Sequence, residues 1–434
     1  MSEESGTWVG AARRWLGTLR KEPPTGPIEH DEHDDSQVAA MLRELGIALL
    51  EVEQPTDAVE KQLKRIAALH TDEDVHVVAL PNALVVQVGD TGFQVAKSTR
   101  LITHLDMAGQ LEQIADLAEA GAISPAEAIS AVAAARRMRP RFGPWLTILG
   151  YALTTVGFGM AINPTWLALP GFVFLGAAVG ILVVVTRPFP ALAPALPTLA
   201  AMLVTILASL FVADAANEGI LRVISPALVA MLPGVPLTLG AIELARSEIV
   251  AGATRLIYGL VQLILLVFGV SLGLAIVGRA PHQPPTAQMG AWSFYAAIVV
   301  ISVGLYIVLS APRASLLWLT AAIAVALIGQ KIGGMFLSPA HSGAVGAFLV
   351  VPFAVLASRI RSSPPAMVMR VAAFWALVPG ALSFVSLTQA ATGGPADYGT
   401  LLSTVTAIFS IALGMLVGAS IFDAVDDTMH PPGR

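Results

Sequence analysis

The chain has 434 residues, 55% of them hydrophobic and 13% charged, with a formal net charge of −5 and no cysteine. A charged share about half the ~25% usual in soluble domains excludes an ordinary soluble protein. The negative balance argues against a nucleic-acid partner, and the absence of cysteine excludes disulfides, thiol nucleophiles and cysteine metal sites.

Of the 30 Asp and Glu residues, 22 lie before residue 128, so a charged N-terminal part is joined to an apolar remainder. Residues 1–35 read as a flexible acidic tail ending in "EHDEHDD", a solvated charge run rather than a metal site, because nothing sets a ligand spacing. Helical periodicity covers 36–53 and 56–70, with Pro55 between them. "VHVVAL", "LVVQVG" and "GFQVAK" then read as three short strands joined by hairpin turns. Helix returns over 101–120 and 124–138, where Ser124, Pro125 and Glu127 form a capping-box start. Residues 36–140 are therefore expected to be a compact cytoplasmic α+β domain with its own core. His76, His104 and Asp106 do not amount to a hydrolase: His76 lies in an alternating strand, and no serine stands in a nucleophile-elbow context. No catalytic residue and no resident cofactor is expected.

From residue 144 the chain divides into ten apolar spans, 144–162, 165–186, 193–213, 220–242, 253–278, 290–310, 313–330, 342–358, 366–389 and 400–422, each near the roughly 20 residues that a bilayer requires. The first 17 residues are too polar to hold the apolar core of a signal peptide, so the N-terminal domain is expected to stay where it is made. With that domain inside, eleven arginines fall on inner loops or span ends, against Arg222, Arg279 and Lys331 outside. Ten spans return the tail, 423–434, to the same side.

Two landmarks recur. Pro233-Gly234 interrupts span four and Pro379-Gly380 interrupts span nine, while Gly269 and Gly273 in span five share their spacing with Gly414 and Gly418 in span ten. The common offset implies two five-helix halves, 144–278 and 290–422. An odd number of spans inverts the second half relative to the first, an arrangement of secondary transporters with a site near mid-membrane. A proline removes a helical hydrogen bond, so each break is expected to expose carbonyls from one half-helix and amides from the next. Thr238 and Ser383, one turn beyond the breaks, are candidate substrate hydroxyls. Glu243 and Arg255, near the inner end of the broken span, and Asp214, at an outer end, are candidates for proton coupling and gating, since ionisable groups at membrane depth are costly unless functional. The small-residue stripes could pack helices within one chain or between copies, so a homo-oligomer is left open.

These motifs resemble those of the threonine/serine exporter family. "PGVPLTLGAIELARSEIVAGATRL" matches its first-half pattern at Pro233, Gly234, Leu237, Thr238, Ile242, Gly252 and Arg255, and departs at Leu239 and Glu243. "LVPGALSFVSL" keeps Pro379 and Gly380 but has Phe384, Val385 and Ser386 where the family has Tyr-Arg-Gly. The resemblance implies export of small hydroxy amino acids driven by the proton motive force across a bacterial inner membrane, with split relatives that resemble exporters of dicarboxylates such as succinate.

Overall fold

The computed structural model describes residues 35–98, 104–213, 219–278, 288–377, Thr388 and 398–429. The N-terminal part is built from α1 (Asp35–Glu51), α2 (Thr56–Ala67), a meander of β1 (Val75–Leu80), β2 (Ala83–Val88) and β3 (Gln94–Lys97), then α3 (Leu105–Glu119) and α4 (Pro125–Arg136). Alternation along β2 turns Leu84, Val86 and Val88 inward, where they join Leu42, Leu45 and Leu49 of α1 and Leu63 of α2 in one core. At the start of α4, Ser124 and Glu127 cap each other reciprocally, and these hydrogen bonds hold the Glu127 carboxyl below its ordinary value.

The apolar remainder is helical. Five helices are each long and apolar enough to cross a membrane: α5 (Pro144–Ile162), α6 (Leu169–Thr186), α10 (Ile249–Val277), α12 (Leu316–Phe336) and α13 (Pro339–Ser358). So is the composite over 190–212, in which a 3-10 turn leads into α7 (Leu196–Leu207) and a π turn follows it. A bent pair, α8 (Ile220–Leu228) extended to Met231 and α9 (Gly234–Ala245), meets the same test as one broken span. Shorter apolar helices are α11 (Trp292–Val308), α14 (Ala366–Leu377) and residues 405–421 within α15 (Tyr398–Met429). The chain is a polytopic helical membrane protein.

Span boundaries differ from the sequence reading where the ends are polar or carry proline. The expected 193–213 span begins at Pro190, because a 3-10 turn tolerates the proline run. The expected 313–330 helix runs to Phe336, carrying Lys331 as part of the helix. Of the expected span 366–389, α14 accounts for 366–377; most of the rest lies outside the described residues.

The small-residue spacings mark close helix contacts. Gly269 and Gly273 of α10 bring its backbone against the carbonyls of Thr198 and Met202 of α7, so that a Cβ on Gly273 would sit 3.0 Å from the Met202 oxygen. Gly414 and Gly418 of α15 meet Ala344 and Phe348 of α13 in the same way, with 2.7 Å between a Cβ on Gly418 and the Phe348 oxygen. Such contacts leave no room for a side chain, and overpacking a tight contact costs ~1–3 kcal/mol or more. Gly269→Leu and Gly414→Leu are each expected to lower the melting temperature in detergent, whereas Leu413→Ala, at a position 60% exposed beside Gly414, leaves it nearly unchanged.

Candidate functional site

The Pro-Gly break in the first half is a real bend. After Leu228 the chain makes one 3-10 turn over Val229–Met231, then restarts as α9 at an angle of 65°. Pro233 closes the gap: Leu232 N–H donates to the Val229 carbonyl at 3.1 Å, and Leu237 N–H donates to that of Pro233 at 3.2 Å. The expected row of free amides at the restart is mostly absent. Gly234 N–H already donates to the Leu232 carbonyl at 2.9 Å and Pro236 has no N–H, so of the first three positions of α9 only Val235 has an amide to offer. Thr238 is buried and its hydroxyl has no hydrogen-bond partner among the described residues. Pro379, Gly380, Ser383 and Asp214 lie outside the described residues.

Glu243 and Arg255 do come together, in an unexpected setting. Gly240 and Gly252 let α9 and α10 cross so closely that a Cβ on either would lie within 2.9 Å of the other's carbonyl oxygen. Glu243 and Arg255, each three residues beyond one of these glycines, meet at 3.0 Å between Oε2 and Nε. The Nε–H is off the hydrogen-bond axis, so this contact is Coulombic. The other oxygen of the Glu243 carboxylate accepts hydrogen bonds from Thr56 N–H at 3.1 Å and Thr56 Oγ1 at 3.2 Å. Thr56 opens α2, whose N-cap position is Pro55, a residue with no side-chain oxygen to serve as cap. Glu243 therefore caps a helix of the N-terminal domain from within the membrane domain, where a carboxylate is favoured by the helix dipole.

Around it, the loop between α1 and α2 is pinned on every side. Arg255 Nη2 donates to the Gln54 carbonyl at 3.3 Å, and Arg246 pairs with Asp57 at 2.8 Å. Glu53 takes φ 63°, the left-handed region that favours glycine, closing α1 while its carboxyl lies near Arg255. Burial pushes the Glu53 carboxyl above its ordinary value, and Arg255 opposes the shift. A second seam lies at α3, whose Leu105 and Asp106 N–H groups donate to the Leu309 and Ser310 carbonyls just past α11, at 2.9 and 3.1 Å.

At the opposite ends of these helices lies a cavity of about 670 Å³. Phe158 and Asn163 of the α5 terminus, Arg222 and Ser225 of α8, Gln330 of α12, Ser342 of α13 and Leu377 of α14 line it, so both halves of the chain contribute. A neighbouring cavity of about 540 Å³ shares Gln330 and Ser342 and includes Lys331, whose ammonium sits 4.4 Å from the centre of the Phe294 ring. Pro233, Gly234 and Thr238 do not line either one. Asn163 and Ser342 are additions that sequence reasoning missed. The signal for Asn163 was available, as a polar residue ahead of a proline at the end of an apolar run.

A polytopic helical bundle with one broken span among the described residues, a cavity between the two halves of the chain and a small α+β domain pinned to the far ends of its helices defines the class. The chain belongs to the family described as "Putative threonine/serine exporter", which matches residues 40–277. It is 25% identical over 248 residues to an uncharacterized protein of Schizosaccharomyces pombe, covering 54% of this chain and 32% of that protein. It is 26% identical over 261 residues to pheromone-regulated membrane protein 10 of Candida albicans, covering 56% of this chain and 22% of the relative. The chain thus spans about a third or less of the length of these curated relatives. Both relatives are fungal, which does not support the expected bacterial inner membrane. No solved structure matches the chain.

Two outcomes are expected at the clamp. Glu243→Ala leaves Arg255 buried without its counter-charge and Thr56 without its acceptor, a loss on the order of 3–5 kcal/mol. Hydrogen exchange at 53–60 is then expected to rise well above the parent; unchanged exchange would show that the seam is held elsewhere. Because the Glu53 carboxyl is raised in the docked state, docking is favoured fully below its ordinary value of 4.5 and loses that contribution as the pH climbs through the raised value. Glu53→Gln is expected to flatten the pH dependence of the melting temperature over that window.

Proposed function

We propose that the chain is a secondary active exporter of small hydroxy amino acids such as threonine and serine, working by alternating access, and not an enzyme. The observation that carries this reading is the pairing of a cavity of about 670 Å³ on one face with a pinned seam on the other: substrate space lies between the halves at the α5 end, while Glu243 ties the N-terminal domain to the opposite ends, where the cavity beside α3 is smaller, about 500 Å³. We place ten spans in the membrane as two inverted five-helix halves. Support comes from the glycine contacts, since the last helix of each half packs its glycines on the third helix of that half, α10 on α7 and α15 on α13. Both termini then lie on the side of the N-terminal domain, which the arginine distribution assigns to the cytoplasm.

In this reading Glu243 is the coupling carboxylate. A proton placed on it cancels the charge that holds Arg255 and the Thr56 amide, releases the seam and lets the cytoplasmic side open, so that proton entry drives substrate exit. Pro233 and Gly234 supply the bend about which α8 and α9 shift, and Pro379 and Gly380 are assigned the same role in the second half. Thr238 and Ser383 are proposed to meet the substrate during the change of state. Export of dicarboxylates is the second reading, favoured by the presence of Arg222 and Lys331 and the lack of any acidic side chain among the described residues lining the two cavities.

Counterflow of labelled threonine, serine and succinate into proteoliposomes tests the proposal. Saturable threonine counterflow that accelerates several-fold under an imposed pH gradient is the expected result, and Glu243→Gln is expected to abolish the acceleration. Conductance without saturation would replace the exporter by a channel, and succinate as the sole counterflow substrate would select the second reading.

A further inference from the structure

We infer that the cavity beside α3, where the N-terminal domain meets the membrane domain, is a second ligand site and takes an α-amino acid as its zwitterion, the ammonium on Asp106 and the carboxylate on Arg141 and Arg313. The inference goes beyond the transport reading and does not use it, because this cavity lies at the opposite ends of the helices from the one around Asn163. Its volume of about 500 Å³ falls within the ~300–1,000 Å³ usual for small-molecule sites.

Among the described residues, three charged side chains line it: Asp106 in the first turn of α3, Arg141 just before α5 and Arg313 just after α11. Asp106 and Arg141 are half-buried and Arg313 is exposed, so all three keep accessible surface. No hydrogen bond or ion pair engages the Asp106 carboxylate or the Arg313 guanidinium. Arg141 is held by its Nη1, which donates to the Ala311 carbonyl and to Tyr306 Oη at 3.2 Å, while its Nη2 and Nε have no partner among the described residues. Opposite charges that face one cavity without pairing are complementary to a molecule that carries both charges itself. A lone anion such as phosphate meets repulsion from Asp106, and a metal ion meets two guanidiniums with a single carboxylate to hold it. A zwitterion gives all three groups a charge-assisted partner.

The walls are preformed. Pro312 and Pro365 stiffen two loops of the membrane domain, and α3 rests on them through Gly109, where a Cβ would lie 3.5 Å from Pro312 and 3.7 Å from Pro365. Ser310 and Ala314, at φ 46° and 61°, occupy the left-handed region on either side of Arg313, a strain that persists only where the surroundings over-determine the backbone. Asp106 comes from the N-terminal domain and Arg313 from the membrane domain, so a bound amino acid joins the two and reinforces the seam made by the Leu105 and Asp106 amides.

The test is hydrogen exchange at 105–113 in the purified full chain in detergent, with two zwitterions, glycine and threonine, as probes. Both are expected to slow exchange there several-fold. Neither 3-hydroxybutyrate, which lacks the ammonium, nor threonine methyl ester, which lacks the carboxylate, is expected to do so. Asp106→Asn and Arg313→Gln should each raise the concentration for half-protection about ten- to hundredfold. If Asp106→Asn loosens α3 without ligand, Arg313→Gln, on an exposed loop, decides alone. Four results would each overturn the inference: no protection by either zwitterion, equal protection by either analogue, unaltered half-protection in Arg313→Gln, or protection by inorganic phosphate or phosphoethanolamine in place of the amino acids. Unaltered half-protection would also trace the threonine effect to the other cavity.

Discussion

One buried carboxylate ties the architecture together. Glu243 cannot lie inside the protein uncompensated, because a lone charge away from water costs several kcal/mol. It is answered on one side by Arg255 from the adjacent helix and on the other by the first N–H and the hydroxyl of a helix in a different domain. The compensation is mutual. Helix α2 begins behind a proline with no cap of its own, so it needs an acceptor as much as Glu243 needs donors.

The same physics operates a second time at the other seam, where the Arg141 guanidinium also donates to the Ala311 carbonyl. The first amides of α3 are orphan donors, the carbonyls just beyond α11 are orphan acceptors, and end-to-end docking satisfies both. The N-terminal domain is thus joined to the membrane domain by helix ends as well as by apolar packing, with Met367 and Val371 of α14 set against the N-terminal core. A few directional contacts at the seam, set against a spacious cavity at the opposite ends of the same helices, give the molecule two unlike faces.

The break in the fourth span takes on a different role from the one its sequence suggests. Pro233 was expected to bare peptide groups toward substrate. The chain instead satisfies most of them locally, through a 3-10 turn and the Gly234 amide, and Pro236 withholds the next donor. What the proline leaves is a 65° change of direction. That bend aims α9 at α10, where two glycines allow the crossing that sets Glu243 against Arg255. The polar equipment of the cavity comes instead from helix ends and from single amides and hydroxyls on several helices, none of them within a motif.

The membrane class, the strand meander, the capping box at Ser124, the helix break at Pro233 and the pairing of Glu243 with Arg255 were all legible in the sequence. Each is a local consequence of composition, period or backbone chemistry within a few residues. Glu243 was singled out because a carboxylate beside an apolar run is costly wherever it lies, and that cost can be read without coordinates. Its partner Thr56, 187 positions away, could not be read, since a helix start that lacks its own cap gives no sign of which distant acceptor will supply one. Asn163, Arg222 and Ser342 likewise share a cavity only because three helices bring their ends together. Sequence pattern determines which groups must be satisfied; which group satisfies which is decided by packing, because hydrogen bonds and ion pairs act over a few ångströms in space and carry no record of separation along the chain.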